Sequence, residues 1–282
     1  MHKVITKSIL NNDRLNIYRG CSHGCIYCKL RSDCYGYKYD FEDVEIKVNA
    51  LELLEANLKD KYELSLIKMG NLSDPYNKYE RDYEYTKKAL ELIYRYGFGV
   101  SILTKSDLIL RDIDLISKIN QRNKAIVQIS LTVANDNLSR IIEPKVSITS
   151  KRFEVLKTCK KYNIPTIVWL NPCLPFISDS KENILDIINM CHDADVKGIV
   201  CFKMGLNLRN GSKEYYYQNL DRYFKGLKEK YMRIYGNDKE ILSLNNVELM
   251  NYFHEECHKR GIMHDVNEIF TFINGNDNAF KK

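Results

Sequence analysis

The sequence of 282 residues holds no apolar run approaching the length of a membrane span. Its first ten residues, Met1 to Leu10, contain no apolar core of the kind a signal peptide needs. Both absences predict a soluble, cytoplasmic chain with no membrane partner. No internal repeat and no low-complexity linker divides it. Strong charge is also missing, since 43 Lys and Arg stand against 37 Asp and Glu for a net +6. That excess permits nucleic-acid or other anionic partners without demanding them. An even set of cysteines is lacking too. There are nine, and three crowd into eight residues, which fits a secreted disulfide scaffold poorly. In a reducing compartment such clustered thiols bind a metal or a cluster. The other six, Cys34, Cys159, Cys173, Cys191, Cys201 and Cys257, are scattered and read as small buried apolar residues.

What is present is an alternation of short apolar runs with amphipathic stretches. Strands are predicted at 15–18, 64–69, 99–104, 125–131, 164–170 and 198–203. Helices are predicted at 50–58, 83–96 (stopped by Gly97), 107–120 with Asp107 as N-cap, 150–162 and 181–191. Short β-branched runs bounded by turns suggest strands buried on both faces. Alternating with helices, they imply a parallel sheet with right-handed crossovers. Six units before residue 205 make an α/β partial (β/α)6 TIM-like barrel, whose functional loops lie at the carboxyl ends of the strands. Residues 1–204 are read as this barrel and residues 205–282 as a helical extension packed on it. The extension is expected to carry one long helix from Lys213 to Tyr235 and a second from Asn246 to Lys259, with the last eight residues loose.

Cys21-Ser22-His23-Gly24-Cys25-Ile26-Tyr27-Cys28 is a C-x3-C-x2-C run. Three thiolates on one tight loop can cap three irons of a [4Fe-4S] cubane and leave the fourth iron open. Gly20 and Gly24 let the loop wrap a bulky inorganic core, and Tyr27 can shield it from water. A zinc knuckle is the alternative, with Cys34 or His23 as the fourth ligand.

The motif, with an aromatic residue before its third cysteine, resembles the radical S-adenosylmethionine (SAM) signature. Asn16-Ile17-Tyr18-Arg19-Gly20 and His23-Gly24 beside it resemble the spore photoproduct lyase-like, or DNA repair photolyase-like, branch. Further segments of that branch follow in order: Ser73-Asp74-Pro75-Tyr76 with Glu80, then Thr104-Lys105-Ser106 with Arg111-Asp112. Ile129-Ser130-Leu131 with Glu143-Pro144 and Arg152 comes next, then Asn171-Pro172 with Pro175. The resemblance covers residues 14 to 180 or so. It implies that Cys21, Cys25 and Cys28 hold a [4Fe-4S] cluster whose open iron chelates SAM. Reductive cleavage of SAM then gives a 5′-deoxyadenosyl radical that abstracts hydrogen from a substrate, while the protein positions and excludes water. By position, Gly70, Ser73 and Asp74 lie near the SAM amino group and Lys105 near its carboxylate. Ser130, Arg152 and Asn171 are placed to reach the ribose or carboxylate, while Glu143-Pro144 shapes a loop. An electron donor such as flavodoxin or ferredoxin is implied, and a nucleic acid or nucleotide leads as substrate, with a peptide or protein as the alternative.

One departure matters. Spore photoproduct lyases proper carry a hydrogen-donating cysteine three residues before the aspartate of the second motif, where this chain has Asn71. Cys173 and Cys201 are the candidates left to act as thiyl partners. A rival motif also stands near the C-terminus: His254-Glu255-Glu256-Cys257-His258, with Gly261 and His264, spells H-E-x-x-H-x-x-G-x-x-H. It would suit a zinc-binding protein or metalloprotease, yet no methionine follows His264 to form a Met-turn, and the upstream pattern is no protease scaffold. A polar amphipathic helix is the plainer reading. The 213–235 helix mixes tyrosines with Lys213, Arg222, Lys225, Lys228, Lys230 and Arg233, which could stack on bases and neutralise phosphates. Its aromatics fall at core spacing, so a packing face with a basic exterior is expected.

Overall fold

The computed structural model describes residues 1–61 and 63–274; the expected loose tail at 275–282 lies outside the described residues. The chain opens with four short strands, β1 (His2–Val4), β2 (Leu10–Asn11), β3 (Arg14–Leu15) and β4 (Tyr18–Arg19). The cysteine loop follows, then β5 (Glu45–Lys47), α1 (Ala50–Asp60), β6 (Leu66–Met69), α2 (Glu80–Tyr83) and α3 (Tyr85–Tyr96). Next are β7 (Gly99–Thr104), α4 (Ile113–Arg122), β8 (Ala125–Ser130), α5 (Asp136–Ile142), α6 (Thr149–Lys161), β9 (Thr166–Trp169), α7 (Lys181–Asp193) and β10 (Gly198–Val200). The remainder is β11 (Gly205–Asn207), α8 (Ser212–Tyr223), α9 (Leu227–Tyr235), β12 (Glu240–Leu242), α10 (Asn246–Lys259) and α11 (Val266–Asn274).

The main sheet runs β10-β9-β8-β7-β6-β3-β2. All its neighbours pair in parallel except β2, which is antiparallel to β3. The six parallel strands with helices outside them are the partial barrel that the hydrophobic alternation predicts. Successive residues of each strand face opposite sides. Ile67, Ile102, Val127, Val168 and Ile199 belong to the core under the helices. Leu66, Ile126, Ile167 and Val200 face inward, where Ile269 and Ile273 of α11 pack against them.

Local boundaries differ where side chains find better partners. The cap at the fourth helical stretch is Ser106, whose hydroxyl accepts from Leu108 N, and a 3-10 turn at 107–112 precedes α4. Asp107 bonds to Ser147 through both its backbone N–H and its carboxylate. The single long helix expected at 213–235 is two helices, broken at Phe224–Gly226 with Gly226 left-handed. Folding back brings the rings of Tyr216 and Tyr231 to 5.6 Å. In a continuous helix fifteen residues would hold them about 22 Å apart.

After β10 the chain leaves the sheet to form β11, α8, α9 and β12, then returns as α10, which packs on α7. Met263 continues the wall, bridging in parallel to Gly198 beside β10. Among the described residues, no helix is long and apolar enough to cross a membrane.

Candidate functional site

The cysteine loop leaves β4 through Gly20, whose φ is +81° and whose absent side chain would meet Phe41 O at 2.6 Å. Cys21 N donates to Phe41 O and Ile26 N to Ile142 O. The loop is therefore pinned by its backbone, leaving its thiols for other work. Cys25 is buried, while Cys21 and Cys28 are half-buried. Burial raises the Cys21 thiol, but His23 beside it more than reverses the effect, and its pKa falls below the ordinary value. Burial pushes the Cys25 and Cys28 thiols up. His23 rises to about 9 against the effect of burial, held by Cys21 and Asp74.

Asp74 ties three segments together. Its carboxylate accepts from Tyr76 N at 2.9 Å, Thr104 Oγ1 at 2.7 Å and Lys105 N at 2.9 Å, and lies 3.5 Å from His23 Nδ1. Ser73 donates to Gly20 O at the loop's entry. Gly70 has φ +100°, and a Cβ there would sit 2.0 Å from Leu103 O, so only glycine lets β6 turn out so close to β7. The Lys105 ammonium lies 6.0 Å from the Tyr27 ring centre, and its charge acts on Cys25, Cys28 and Glu143. The second-motif residues and Lys105 thus gather at the cysteine loop.

Arg152 is placed differently from the expectation of a SAM contact. It is fully buried, 2.6 Å from the equally buried Glu143. Its Nε donates to Ser147 O at 2.7 Å and its Nη1 to Ser130 O at 3.0 Å. Every nitrogen of the guanidinium faces protein. Burial works against the charge of both partners, yet each favours its partner's charged form, and Glu143 stays below the usual carboxylate range. Tyr27 donates to the other Glu143 oxygen and meets Thr132 Oγ1 at 3.1 Å. Glu143, read from sequence as a loop former, is the buried anchor of the cysteine loop. The resemblance marked its position, but nothing in the one-dimensional pattern marked its burial.

Asn171 stands two residues beyond Trp169 at the exit of β9 and is half-buried. Cys173 and Cys201 are buried within the core under the helices. Cys201 Sγ lies 3.8 Å from Met250 Sδ on α10, and Cys173 Sγ 3.9 Å from Ser178 Oγ. Burial raises both thiols, Cys201 to about 12. The interior instead holds an aromatic group missed in the sequence, with Trp169, Phe202 and Phe270 at 6.1 to 6.3 Å centre to centre. Trp169 Nε1 donates to Gln128, which donates to Ser101, at 2.6 Å each.

The rival histidines sit on the outer wall. The His254 and His258 rings lie 5.2 and 6.3 Å from that of His264, and Glu255 is exposed and paired with Lys259. Among the described residues, no set of three His, Cys, Asp or Glu side chains closes to single-ion geometry, here or at the cysteines.

A parallel partial barrel carrying a loop of thiols above its strand ends defines a cofactor-dependent α/β enzyme. More particularly, the chain belongs to the radical SAM superfamily, whose family model matches residues 15–188. Membership implies SAM and an iron–sulfur cluster. An uncharacterized protein of Mycobacterium tuberculosis is 28% identical over 250 residues, covering 83% of this chain and 73% of that one. Another from Methanocaldococcus jannaschii is 34% identical over 169 residues, 58% of this chain and 61% of its own. Spore photoproduct lyase complexed with dinucleoside spore photoproduct superposes with a TM-score of 0.67 at 14% identity, over 93% of this chain and 80% of that one. A variant of that lyase with bound AdoMet and dinucleoside spore photoproduct gives 0.62 at 15%, over 88% and 74%. At such identities these two show a shared fold.

Proposed function

We propose that Cys21, Cys25 and Cys28 ligate a [4Fe-4S] cluster with one open iron, and that the enzyme abstracts hydrogen from a nucleic acid or nucleotide. The observation carrying this reading is the gathering of the thiol loop, Ser73, Asp74 and Lys105 at one end of the parallel strands. The donor set suits the group. Three soft thiols stand on one loop; burial raises Cys25 and Cys28, the Lys105 cation partly offsets it, and His23 brings Cys21 down. When bound, cluster and SAM supply a 5′-deoxyadenosyl radical.

The chain's own residues do the positioning. Asp74 fixes the Lys105 backbone, so the ammonium is aimed from a rigid strand end at the SAM carboxylate. Ser130 and Asn171 would complete the SAM wall from β8 and β9, and Gly70 lets the chain after β6 pass close against β7 on its way to Ser73 and Asp74. Arg152 serves here as a positioning residue, holding Glu143 and through it Tyr27 in the loop. The apolar packing around Cys25, Ile26 and Tyr27 keeps water from the reacting centre. Residues 1–204 act as the reactive barrel, supported by α10 on α7 and by α11 against the inward strand faces. Absence of the lyase-type cysteine at Asn71 points to a hydrogen donor other than a thiol at that position. A nucleic-acid substrate has the lyase bound to a dinucleoside as its structural parallel, and one-electron delivery falls to a flavodoxin or ferredoxin.

The test is electron paramagnetic resonance of anaerobically reconstituted, reduced protein with and without SAM. A [4Fe-4S]⁺ signal that changes on SAM addition is expected, and it should vanish in Cys25→Ala. A signal indifferent to SAM would overturn the open-iron assignment.

A further inference from the structure

Outside the barrel interior, a groove of about 640 Å³ runs between the N-terminal strands and the segment after the cysteine loop. Its size suits a few flat, flexible units better than a protein domain. Arg14, Arg19 and Lys47 lie along it with Tyr35, Tyr37 and Tyr39. Glu45 is the one acidic residue on its wall, against four basic ones once Lys38 is counted. Among the described residues, none of Arg14, Arg19 and Lys47 has a carboxylate within 4.0 Å.

Lys47 is half-buried, and one N–H of its ammonium donates to Asn16 O at 2.6 Å. Burial and the nearby Arg19 guanidinium both push its pKa down, opposed by Glu45. Two cations kept close with so little compensation call for an anion. Arg19 also donates to Tyr35 O and Gly36 O and lies over the Tyr37 ring at 5.1 Å, fixing the tyrosine-bearing segment. Tyr37 is braced edge-on by Phe41. Tyr39 lies flat on His2, 3.5 Å apart and 9° from parallel, and stays 45% exposed. Rigid aromatic planes therefore alternate with cations along a single trough, the combination that takes stacked bases and their phosphates.

The trough also ends where it should. Arg19 stands two residues before Cys21, and Leu72, at its other wall, directly precedes Ser73 and Asp74. We infer that this groove binds the single-stranded nucleic acid flanking the reacting nucleotide, and so sets which strands reach the cysteine loop. The inference rests on the nucleic-acid reading above, and places recognition on residues 14–47 rather than on the basic helices α8 and α9.

The test uses the full reconstituted chain and a fluorescein-labelled oligothymidylate of roughly eight nucleotides, followed by anisotropy across a salt series. Arg14→Ala with Lys47→Ala should lower the slope of log affinity against log salt by about 1.4, two phosphate contacts' worth. Tyr39→Ala should weaken binding about tenfold. A Lys118→Ala/Lys151→Ala control, of equal charge change on distant helices, should bind as the parent does. Equal losses in the control, or unchanged binding in the groove variants, overturn the inference. So does an acidic flavodoxin whose binding, and not the oligonucleotide's, is lost in those variants. The SAM response of the paramagnetic signal, recorded on the same samples, separates the two claims. Its retention with lost oligonucleotide binding supports the groove, whereas its absence in the parent chain overturns the radical SAM site reading alone.

Discussion

Between the barrel strands and their helices the packed residues are mostly isoleucine, leucine and valine, with Tyr18 and Tyr76 bonded to Glu80 and Asp112 at one end, whereas the core at the cysteine loop includes five tyrosines and borders an enclosed ion pair. Away from the Tyr18–Glu80 and Tyr76–Asp112 bonds, the barrel core is non-directional; any apolar residue of fitting volume contributes. The second core is directional. Tyr231 donates to Pro175 O, its hydroxyl meets that of Tyr216 at 3.1 Å, and Glu143 needs both Arg152 and Tyr27. The difference teaches a division of labour. Apolar packing makes the scaffold, and bonds of fixed direction hold the loop that must present three thiols at set positions.

That contrast is breakable. Arg152→Met should leave the Glu143 charge buried without its cationic partner and cost about 3–5 kcal/mol. Iron content after reconstitution should fall with it. Leu156→Ala, on the same helix but facing the barrel core, should cost a comparable 2–5 kcal/mol or so and leave the iron content of folded protein unchanged. Urea unfolding with iron analysis decides; parallel iron losses in both would erase the distinction.

Acid sharpens the comparison next. Burial raises the Glu143 pKa, but Arg152, Lys105 and Tyr27 outweigh it and the folded value lies below the ordinary one. Its contribution is present above the unfolded carboxylate pKa and is lost as pH falls through the depressed folded value. Melting temperature should therefore decline on acidification below about pH 4.5, and less steeply in Glu143→Gln. Equal slopes for the two proteins would remove Glu143 as the acid-sensitive group. The smallest effect is expected at the rim. Lys145, largely exposed, pairs with Glu42, and Lys145→Ala should shift stability by at most about 1 kcal/mol. A larger shift in the same unfolding assay would mean the rim shares the loop's directional core.

Sequence pattern carried the scaffold well because burial on both faces leaves long β-branched runs, as at Ala125–Ser130. The thiol loop and the Asp74 and Lys105 segments were legible through spacing and resemblance. The Glu143–Arg152 pair was not, because 2.6 Å between side chains nine residues apart depends on how α5, α6 and the loop between them fold. Nor was the break at Phe224–Gly226, since a helical period continues through it and only the Tyr216–Tyr231 contact reveals the fold-back. Cys173 and Cys201 show the opposite limit. The sequence offers them as candidate thiyl partners, and spacing alone could not show that the Cys201 thiol lies against Met250 of α10.

Trp169 is the single tryptophan of the chain, and it stands in the barrel interior against Phe202 and Phe270 with its indole N–H on Gln128. The protein thus carries its own optical reporter. Excitation at the indole band reads one environment, the aromatic group at the end of β9, without a background from other indoles. Under the proposed reading, emission should respond to a molecule entering the barrel beside this group, which makes substrate screening a matter of fluorescence before any product is known.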